Sequence, residues 1–479
     1  MSFSKAFLLL LASNALAAPA KEADIDDGGV LHMPLIQIPV ELDSTNSHEK
    51  RQAATGLDRW IYDRKGRSPL TALGVVLNVG TPPQKVLVEP DTGSSKLWVP
   101  GIGPNESRDP NQVSIFFDPS ASKSMKDFEQ VDGERYHSTR VEYNVISDHI
   151  AVGDVSMGRV KFGVGNMSSP HTNMDRRVGV MGLHPGATKT NVFILDALKA
   201  RKAIKTRAFS MGVRKEGRGT LAIGGYDASK FTGVLEKIPM VPTKNDHYAV
   251  AFKAFSVSTN KGTGPKHSRA LFDEKTVENE IEKLTIGIDS GAPAFVIKSA
   301  AGSVLERKLR GQWSTASGRL EIPCRLADLG LRFDFVLTDK TTISVPIADF
   351  VVSRNNDMCG TVIQRDDEVP TSIWIGGHFL RRSFIVFDPD EKALHIARGA
   401  DCGSTMMPIN GPLSGKIVGK CQDVDMEKDL PAQRAPESSS PPRTEPKLKP
   451  DDASGSVDDC KRRVPQSDST YNVLARLRE

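Results

Sequence analysis

Two short runs in this chain of 479 residues carry side chains that could act together in catalysis. Asp91-Thr92-Gly93-Ser94 and Asp289-Ser290-Gly291-Ala292 each follow an apolar stretch of β type, and each begins a tight glycine turn with a carboxylate. If the two halves face each other across a cleft, the carboxyls cannot both stay ionised, and they share one proton. One member can then take a proton from water while the other hydrogen-bonds a carbonyl and later protonates the leaving group. We therefore expect Asp91 and Asp289 to be a catalytic dyad.

Further landmarks surround these runs in a consistent order. They are Gly80-Thr81-Pro82-Pro83-Gln84, Leu97-Trp98-Val99-Pro100, Gly224-Gly225-Tyr226-Asp227, Phe231-Thr232-Gly233, Trp374-Ile375-Gly376, Phe379-Leu380-Arg381 and Val386-Phe387-Asp388. With them the chain resembles a pepsin-like aspartic protease of the secreted fungal type, over roughly residues 66–400. The resemblance implies a mostly β, bilobal fold with two similar β lobes and a cleft between them. It also implies hydrolysis of polypeptide substrates with no metal and no cofactor.

The supporting residues around each aspartate have separate expected roles. Gly93 and Gly291 let the backbone come close and offer amide donors, while the resemblance implies that the hydroxyls of Thr92 and Ser290 cross-link the two loops. Behind each loop, the resemblance places an apolar-apolar-Gly segment, here within Val180-Met181-Gly182-Leu183 and Trp374-Ile375-Gly376.

The residues three positions after the two aspartates differ. Ser94 can hydrogen-bond the outer oxygen of Asp91, but Ala292 cannot do this for Asp289. A missing donor to the ionised form would raise the pKa of Asp289, so the sequence predicts a milder pH optimum than that of a strongly acid protease.

A β-hairpin flap over the cleft is also implied by the resemblance, with Tyr136 near its tip and Trp98 as the hydrogen-bonding neighbour of that tyrosine. Alternatively, Tyr136 is an ordinary strand residue and Trp98 belongs to the core. The glycine-rich turn usual in the family is replaced by His137-Ser138-Thr139-Arg140. Pro90 removes a backbone donor directly before Asp91. Together with Ala292, these departures leave open a catalytically weak pepsin-like binding protein.

Other classes of function fit the sequence less well. The formal charge of +4 and the lack of a basic stripe with interleaved aromatics give no reason to expect a nucleic-acid partner. Neither a zinc-protease signature nor a serine nucleophile elbow occurs, and a lone histidine such as His184 or His378 is more often structural. A glycosidase could use two carboxylates but would not explain the paired glycine turns.

The chain divides into five predicted parts. Residues 1–17 read as a signal peptide, 18–51 as a pro-segment that a dibasic-cutting protease removes after Lys50-Arg51, 52–241 and 242–400 as the two lobes, and 401–479 as a largely disordered tail. The resemblance implies that the pro-segment covers the cleft and pairs a basic side chain with the carboxylates. We expect a secreted monomer without a membrane anchor, with a vacuole-like compartment as the alternative location.

Cysteines and sequons fit a secreted protein. The resemblance places a disulfide between Cys324 and Cys359, while the pairing of Cys402, Cys421 and Cys460 stays open because their number is odd. Asn105 and Asn166 begin N-glycosylation sequons. Local patterns further predict a helix over Asn191 to Arg201 and a surface insertion over Asn260 to Lys283.

Overall fold

The computed structural model describes residues 24–25, 29–39, 71–103, 113–136, 139–172, 178–186, 192–214, 219–243, 245–259, 268–273, 284–292 and 295–422. In the first half of the chain, the strands are β1 (Asp24–Ile25), β2 (Leu31–Pro34), β3 (Ile36–Pro39), β4 (Thr71–Val79), β5 (Gln84–Asp91), β6 (Leu97–Pro100), β7 (Lys126–Tyr136), β8 (Thr139–Val152), β9 (Val155–Gly165), β10 (Gly179–Gly182), β11 (Phe209–Gly212), β12 (Thr220–Ile223), β13 (Gly225–Asp227) and β14 (Phe231–Pro239).

The second half adds β15 (Ala249–Ala251), β16 (Ala254–Ser258), β17 (Ser268–Phe272), β18 (Thr285–Ile288), β19 (Phe295–Ile297), β20 (Gln312–Trp313), β21 (Arg319–Pro323), β22 (Arg332–Val336), β23 (Thr342–Pro346), β24 (Val351–Asn355), β25 (Met358–Arg365), β26 (Ile373–Ile375), β27 (Ser383–Asp388), β28 (Ala393–Gly399) and β29 (Met406–Pro408). The α-helices are α1 (Ile194–Ala200), α2 (Ser299–Leu309), α3 (Arg325–Asp328) and α4 (Gly377–Leu380), and 3-10 turns cover Pro119–Ala121, Ala228–Lys230 and Ile347–Phe350.

Alternating apolar residues produce this mostly β architecture. In β4, Leu73, Val75, Leu77 and Val79 are at most 1% exposed, and they share one face because successive strand residues point to opposite sides. In the second half, the aromatic rings of Phe255, Phe295, Phe333, Phe335 and Phe350 pack on one another at the centre of the core. The predicted mostly β, bilobal fold is confirmed.

Four larger sheets make up most of the described residues. The first lobe holds an eight-stranded sheet in the order β3-β4-β5-β10-β6-β9-β8-β7. The second lobe has a sheet ordered β15-β18-β26-β19-β25-β21-β20, with β24 on β25, and a four-stranded sheet ordered β17-β16-β22-β23. A seven-stranded sheet, β1-β2-β12-β11-β27-β28-β14, combines strands from both halves, so the last strands of the second half return to the first.

The described part of the predicted pro-segment contributes β1 and β2 to that shared sheet and β3 to the first-lobe sheet. Strand β2 pairs antiparallel with β12, and Leu31, Met33 and Leu35 are at most 2% exposed. The described residues before Arg51 include no lysine or arginine, and Lys50-Arg51 lies outside the described residues. The expected pairing of a basic side chain with the carboxylates therefore stays a prediction.

The predicted tail begins too early at residue 401. Residues 401–422 are folded: β29 pairs with β13, a disulfide joins Cys402 to Cys421, and isolated bridges join Val418 and Cys421 to β14 of the shared sheet. This bond also assigns two of the three cysteines whose pairing was open, while Cys460 lies outside the described residues. Residues 423–479 likewise lie outside them.

The structure confirms one predicted helix, adds a second helix and changes the reading of the predicted insertion. The helix expected over Asn191 to Arg201 is present as α1, but α2 was missed, although Ala301, Val304, Leu305 and Leu309 form its buried stripe. The insertion expected from Asn260 to Lys283 contains strand β17, which pairs with β16 and so belongs to the second lobe. Within the described residues, no helix is both long and apolar enough to cross a membrane.

Candidate active site

The two aspartates occupy equivalent places in the two lobes. Asp91 ends β5, which runs parallel to β10, and Asp289 directly follows β18, which runs parallel to β26. In each lobe an aspartate loop therefore lies beside an apolar-apolar-Gly strand, as the sequence predicted. The aligned ends of these parallel pairs bring the loops of the two lobes together.

The two carboxyl groups face each other. Asp91 is 5% exposed, and a Cβ on Gly291 would lie 2.6 Å from Asp91 Oδ1 and 3.3 Å from Asp289 Oδ1, so the two carboxyls border the same space. A Cβ added to Gly93 would collide with the Asp289 carboxyl, and one added to Gly291 would collide with the Asp91 carboxyl. Glycine is thus needed at both positions for the two loops to approach each other.

Each carboxylate accepts from its own loop. The Gly93 N–H donates to Asp91 Oδ1 over 2.8 Å, and the Gly291 N–H donates to Asp289 Oδ1 over the same distance. On the other side of Asp91, the Ser94 hydroxyl donates to Oδ2 over 2.5 Å. These are the donors that the sequence predicted for both glycines and for Ser94.

Four buried hydrogen bonds tie the two loops together. The Thr92 N–H donates to Ser290 Oγ at 3.0 Å, and the Ser290 N–H donates to Thr92 Oγ1 at 2.9 Å. The Thr92 hydroxyl donates to the Ile288 carbonyl at 2.9 Å, and the Ser290 hydroxyl donates to the Pro90 carbonyl at 2.6 Å. Pro90 lacks an N–H, but its carbonyl is part of this cross-link.

The expectation that Asp289 lacks an outer donor is wrong. The indole Nε1 of Trp374 donates to Asp289 Oδ2 over 2.8 Å, on the side that Ser94 serves for Asp91. The sequence placed Trp374 only in the apolar segment behind the loop. It missed this contact because the donor comes from the neighbouring strand β26 and not from residue 292.

The electrostatics of the pair favour a shared proton. The pKa of Asp289 lies well above its ordinary value, because the site is shielded from solvent and because Asp91 is negatively charged beside it. Hydrogen bonds from Trp374 and the Gly291 N–H act in the opposite direction.

Two histidines that the sequence did not place at the site lie behind Trp374. The His247 ring packs edge-on against the Trp374 ring at 5.1 Å between centroids, and the His184 ring lies 4.9 Å from that of His247. Burial lowers the pKa of both, and the nearby His184 helps to bring that of His247 to about 4. No local sequence signal marks His247, because only the fold brings it to this position.

The flap candidate is a long hairpin of β7 and β8 at the edge of the first sheet. The Trp98 indole donates to the Tyr136 hydroxyl over 2.8 Å, as expected for this pair. The pKa of Tyr136 is raised well above its ordinary value by burial and by the charge of Asp91. His137 and Ser138, in the unusual turn, lie outside the described residues.

The remaining predicted sites are outside the cleft. The disulfide between Cys324 and Cys359 is present and connects the end of β21 to β25. Asn166 is exposed, whereas Asn105 lies outside the described residues. Within the part of the chain that is described, no group of three or more His, Cys, Asp or Glu side chains is arranged to hold a metal ion.

Comparisons with known proteins agree with this geometry. A family model described as eukaryotic aspartyl protease matches residues 74–399. The chain is 27% identical over 413 residues to aspartic proteinase yapsin-3 of Saccharomyces cerevisiae, covering 80% of this chain and 75% of that protein. It is 25% identical over 340 residues to candidapepsin of Candida tropicalis, with 67% and 77% covered. Secreted aspartic protease 7 of Candida albicans is 24% identical over 367 residues, with 69% and 60% covered.

Proposed function

Because this chain belongs to the eukaryotic aspartyl protease family, we propose that it is a secreted endopeptidase in which Asp91 and Asp289 activate the attacking water. The observation that carries the proposal is the close approach of two carboxyls presented by opposite lobes, on loops that are cross-linked through Thr92 and Ser290. Carboxylate pairs that share a proton are the known catalytic device of aspartic proteases.

The residues of the site divide the chemistry between them. The high pKa of Asp289 makes it the member that holds the proton, so it can hydrogen-bond the scissile carbonyl and then protonate the leaving nitrogen. Asp91 is then the carboxylate that takes the proton from water, and its oxygens accept from the Gly93 N–H and the Ser94 hydroxyl. The cross-link through Thr92 and Ser290 keeps the carboxyls at a fixed separation.

Three contacts weaken the case for the alternative, a catalytically weak binding protein. Pro90 contributes its carbonyl to the cross-link, and Trp374 donates to the oxygen that Ala292 cannot serve. The Trp98–Tyr136 hydrogen bond gives the hairpin a fixed attachment beside the site. All three favour a complete site over a relaxed one.

The first 51 residues bear on processing and location. We assign residues 1–17 as a removed signal peptide and Lys50-Arg51 as the cut that ends a pro-segment, giving a monomer that acts outside the cell or in a vacuole-like compartment. The name of one relative, secreted aspartic protease 7, supports the first location. Exposed Asn166 is available for glycosylation.

The test is peptide hydrolysis by the protein cut after Arg51, between mildly acidic and neutral pH. We expect pepstatin-sensitive cleavage by the wild type and a loss of at least about 1000-fold in Asp91→Asn and in Asp289→Asn, because each removes an acid-base group. Asp334→Asn, which changes a buried carboxyl in β22, is the matched control and should stay active. A wild type that binds pepstatin without turnover would favour the binding-protein alternative.

A further inference from the structure

The outer oxygens of the two aspartates are served by different chemical groups. Ser94 Oγ donates to Asp91 Oδ2, whereas Trp374 Nε1 donates to Asp289 Oδ2. Residue 292 is the counterpart of residue 94 in the second loop, and it is an alanine without a hydrogen-bonding side chain. The donor has therefore moved from the loop to the adjacent strand.

The neighbouring residues are shaped for this indole. In the parallel pairing of β18 with β26, Gly287 lies opposite Trp374, and a Cβ added to Gly287 would collide with the indole ring. The absence of a side chain at 287 lets the ring lie across β18 and reach Asp289. Trp374 is 9% exposed, and His247 packs against its ring from the other side.

An indole N–H constrains the carboxyl more than a hydroxyl does. A hydroxyl can donate or accept, so it tolerates a proton on the oxygen that it contacts, but an indole N–H only donates. Oδ2 of Asp289 therefore always faces a donor, which favours the ionised carboxylate. Oδ1 accepts from the Gly291 N–H, so both oxygens of Asp289 face groups that only donate.

We propose that Trp374 is a positioning residue of the dyad, whose indole N–H replaces the hydroxyl missing at Ala292 and stabilises the ionised form of Asp289. This inference rests on the proposed function, since it describes how the same pair holds its proton. It identifies Gly287, Ala292 and Trp374 as one unit, in which the glycine makes room, the alanine lacks the donor and the indole supplies it.

The alkaline limb of the pH profile is the appropriate readout. Loss of the last proton from the dyad leaves Asp289 ionised, and the Trp374 N–H stabilises that form. Removal of the N–H should therefore move the midpoint of the alkaline limb to higher pH by about one unit. The other groups facing the pair or the indole are Asp91, Asp246, His184, His247 and Tyr136. Both histidines have lowered pKa values and Tyr136 a raised one, so none of these three replaces Asp289 in that limb.

The first experiment measures kcat/KM against pH for Trp374→Phe and for the double variant Trp374→Phe/Ala292→Ser. We expect the alkaline limb to rise by about one pH unit in the first and to return toward the wild-type position in the second, because a serine at 292 restores a donor. Trp313→Phe is the control, since its ring packs on Arg365, and its profile should not move. An unmoved limb in Trp374→Phe, or a moved limb that the serine does not restore, would overturn the inference.

The second experiment does not depend on activity or on folding of the tryptophan variant. In protein labelled with ¹⁵N-tryptophan, the Trp374 indole signal is the one that is missing from Trp374→Phe. It should shift in the pH range where the dyad loses its last proton. In Asp289→Asn it should not shift in that range. If Trp374→Phe does not fold, the indole signal that changes most in Asp289→Asn identifies Trp374. If the protease is active but its Trp374 indole signal does not shift as the dyad loses its last proton, the inference is wrong and the proposed function stands. A titrating indole in a protein that cleaves no peptide supports the inference and overturns the proposed function.

Discussion

At the scale of single residues, the cross-link between the loops decides how well the carboxyls are held. Thr92 is 1% exposed and Ser290 is 4% exposed, and each hydroxyl both accepts from the opposite backbone and donates to a carbonyl. Removing one hydroxyl leaves a buried N–H and a buried carbonyl without their partner, which costs about 1–3 kcal/mol. The geometry of the dyad then depends on the remaining two bonds.

Thr92→Ala tests this role. We expect the free energy of unfolding to fall by about 2 kcal/mol and kcat to fall by about 10- to 100-fold, because the carboxyls lose their fixed separation. Thr92→Ser keeps the hydroxyl and is the matched control, with both quantities near wild type. Urea unfolding and peptide hydrolysis measure the two effects. Equal behaviour of the alanine and serine variants would mean that the hydroxyl does not hold the loops.

At the scale of elements, the tip region of the hairpin of β7 and β8 is attached to the core by side-chain contacts. Trp98 is fully buried and donates to Tyr136, and Val141 and Tyr143 of β8 pack in the same small cluster. Lys96 also reaches back to Asp132 and Glu134 of β7, at 3.4 and 3.1 Å. The part of the hairpin near the cleft is thus positioned from the loop after Asp91.

A double-mutant cycle on Trp98→Phe and Tyr136→Phe measures this attachment. Each single variant should lower the free energy of unfolding by about 1–2 kcal/mol and raise KM, because the first leaves a hydroxyl and the second a buried indole N–H without its partner. The double variant should lose less than the sum of the singles, with a coupling of about 1 kcal/mol. Strict additivity would show that the hydrogen bond contributes nothing to the position of the hairpin.

At the scale of the whole molecule, buried histidines make stability depend on pH. The pKa of His378 is lowered to about 3 by burial and by the charge of Arg381, and its ring stacks on Phe350 at 4.9 Å. His247 and His395 have pKa values lowered to about 4, mainly by burial. In the unfolded chain these rings take up protons near pH 6.5, so the unfolded state gains protons first as pH falls. Stability from these groups is complete above pH 6.5 and is lost progressively toward pH 3–4.

The carboxyls with raised pKa act in the opposite sense. Asp289, Asp334 and Asp388 bind protons more readily in the folded than in the unfolded protein, so they add stability at low pH that is lost as pH rises. The contribution of a single histidine to the pH dependence of stability must therefore be measured as the difference between a variant and its parent.

His378→Phe isolates one of these contributions. Between pH 7 and pH 4 the parent should lose about 3 kcal/mol through His378, and the variant should be spared that loss because a phenylalanine takes up no proton. Urea unfolding at both pH values, in an Asp91→Asn background that prevents self-digestion, gives the difference. His149→Phe, at an exposed position, is the control and should show the same pH dependence of the free energy of unfolding as the parent. The same pH dependence in parent and His378→Phe would rule out this role for His378.

The sequence by itself determined the family, the mostly β class, both aspartates and the hydroxyls beside them, because these lie in short contiguous motifs whose local turn chemistry is self-contained. Tertiary structure alone decided the donor from Trp374, the position of His247, the pairing of Cys402 with Cys421 and the sheet shared by both halves. Trp374 and Asp289 are 85 residues apart in the chain, and only the parallel pairing of β18 with β26 places them side by side. A local pattern records which face of a strand is buried, but not which strand will lie next to it.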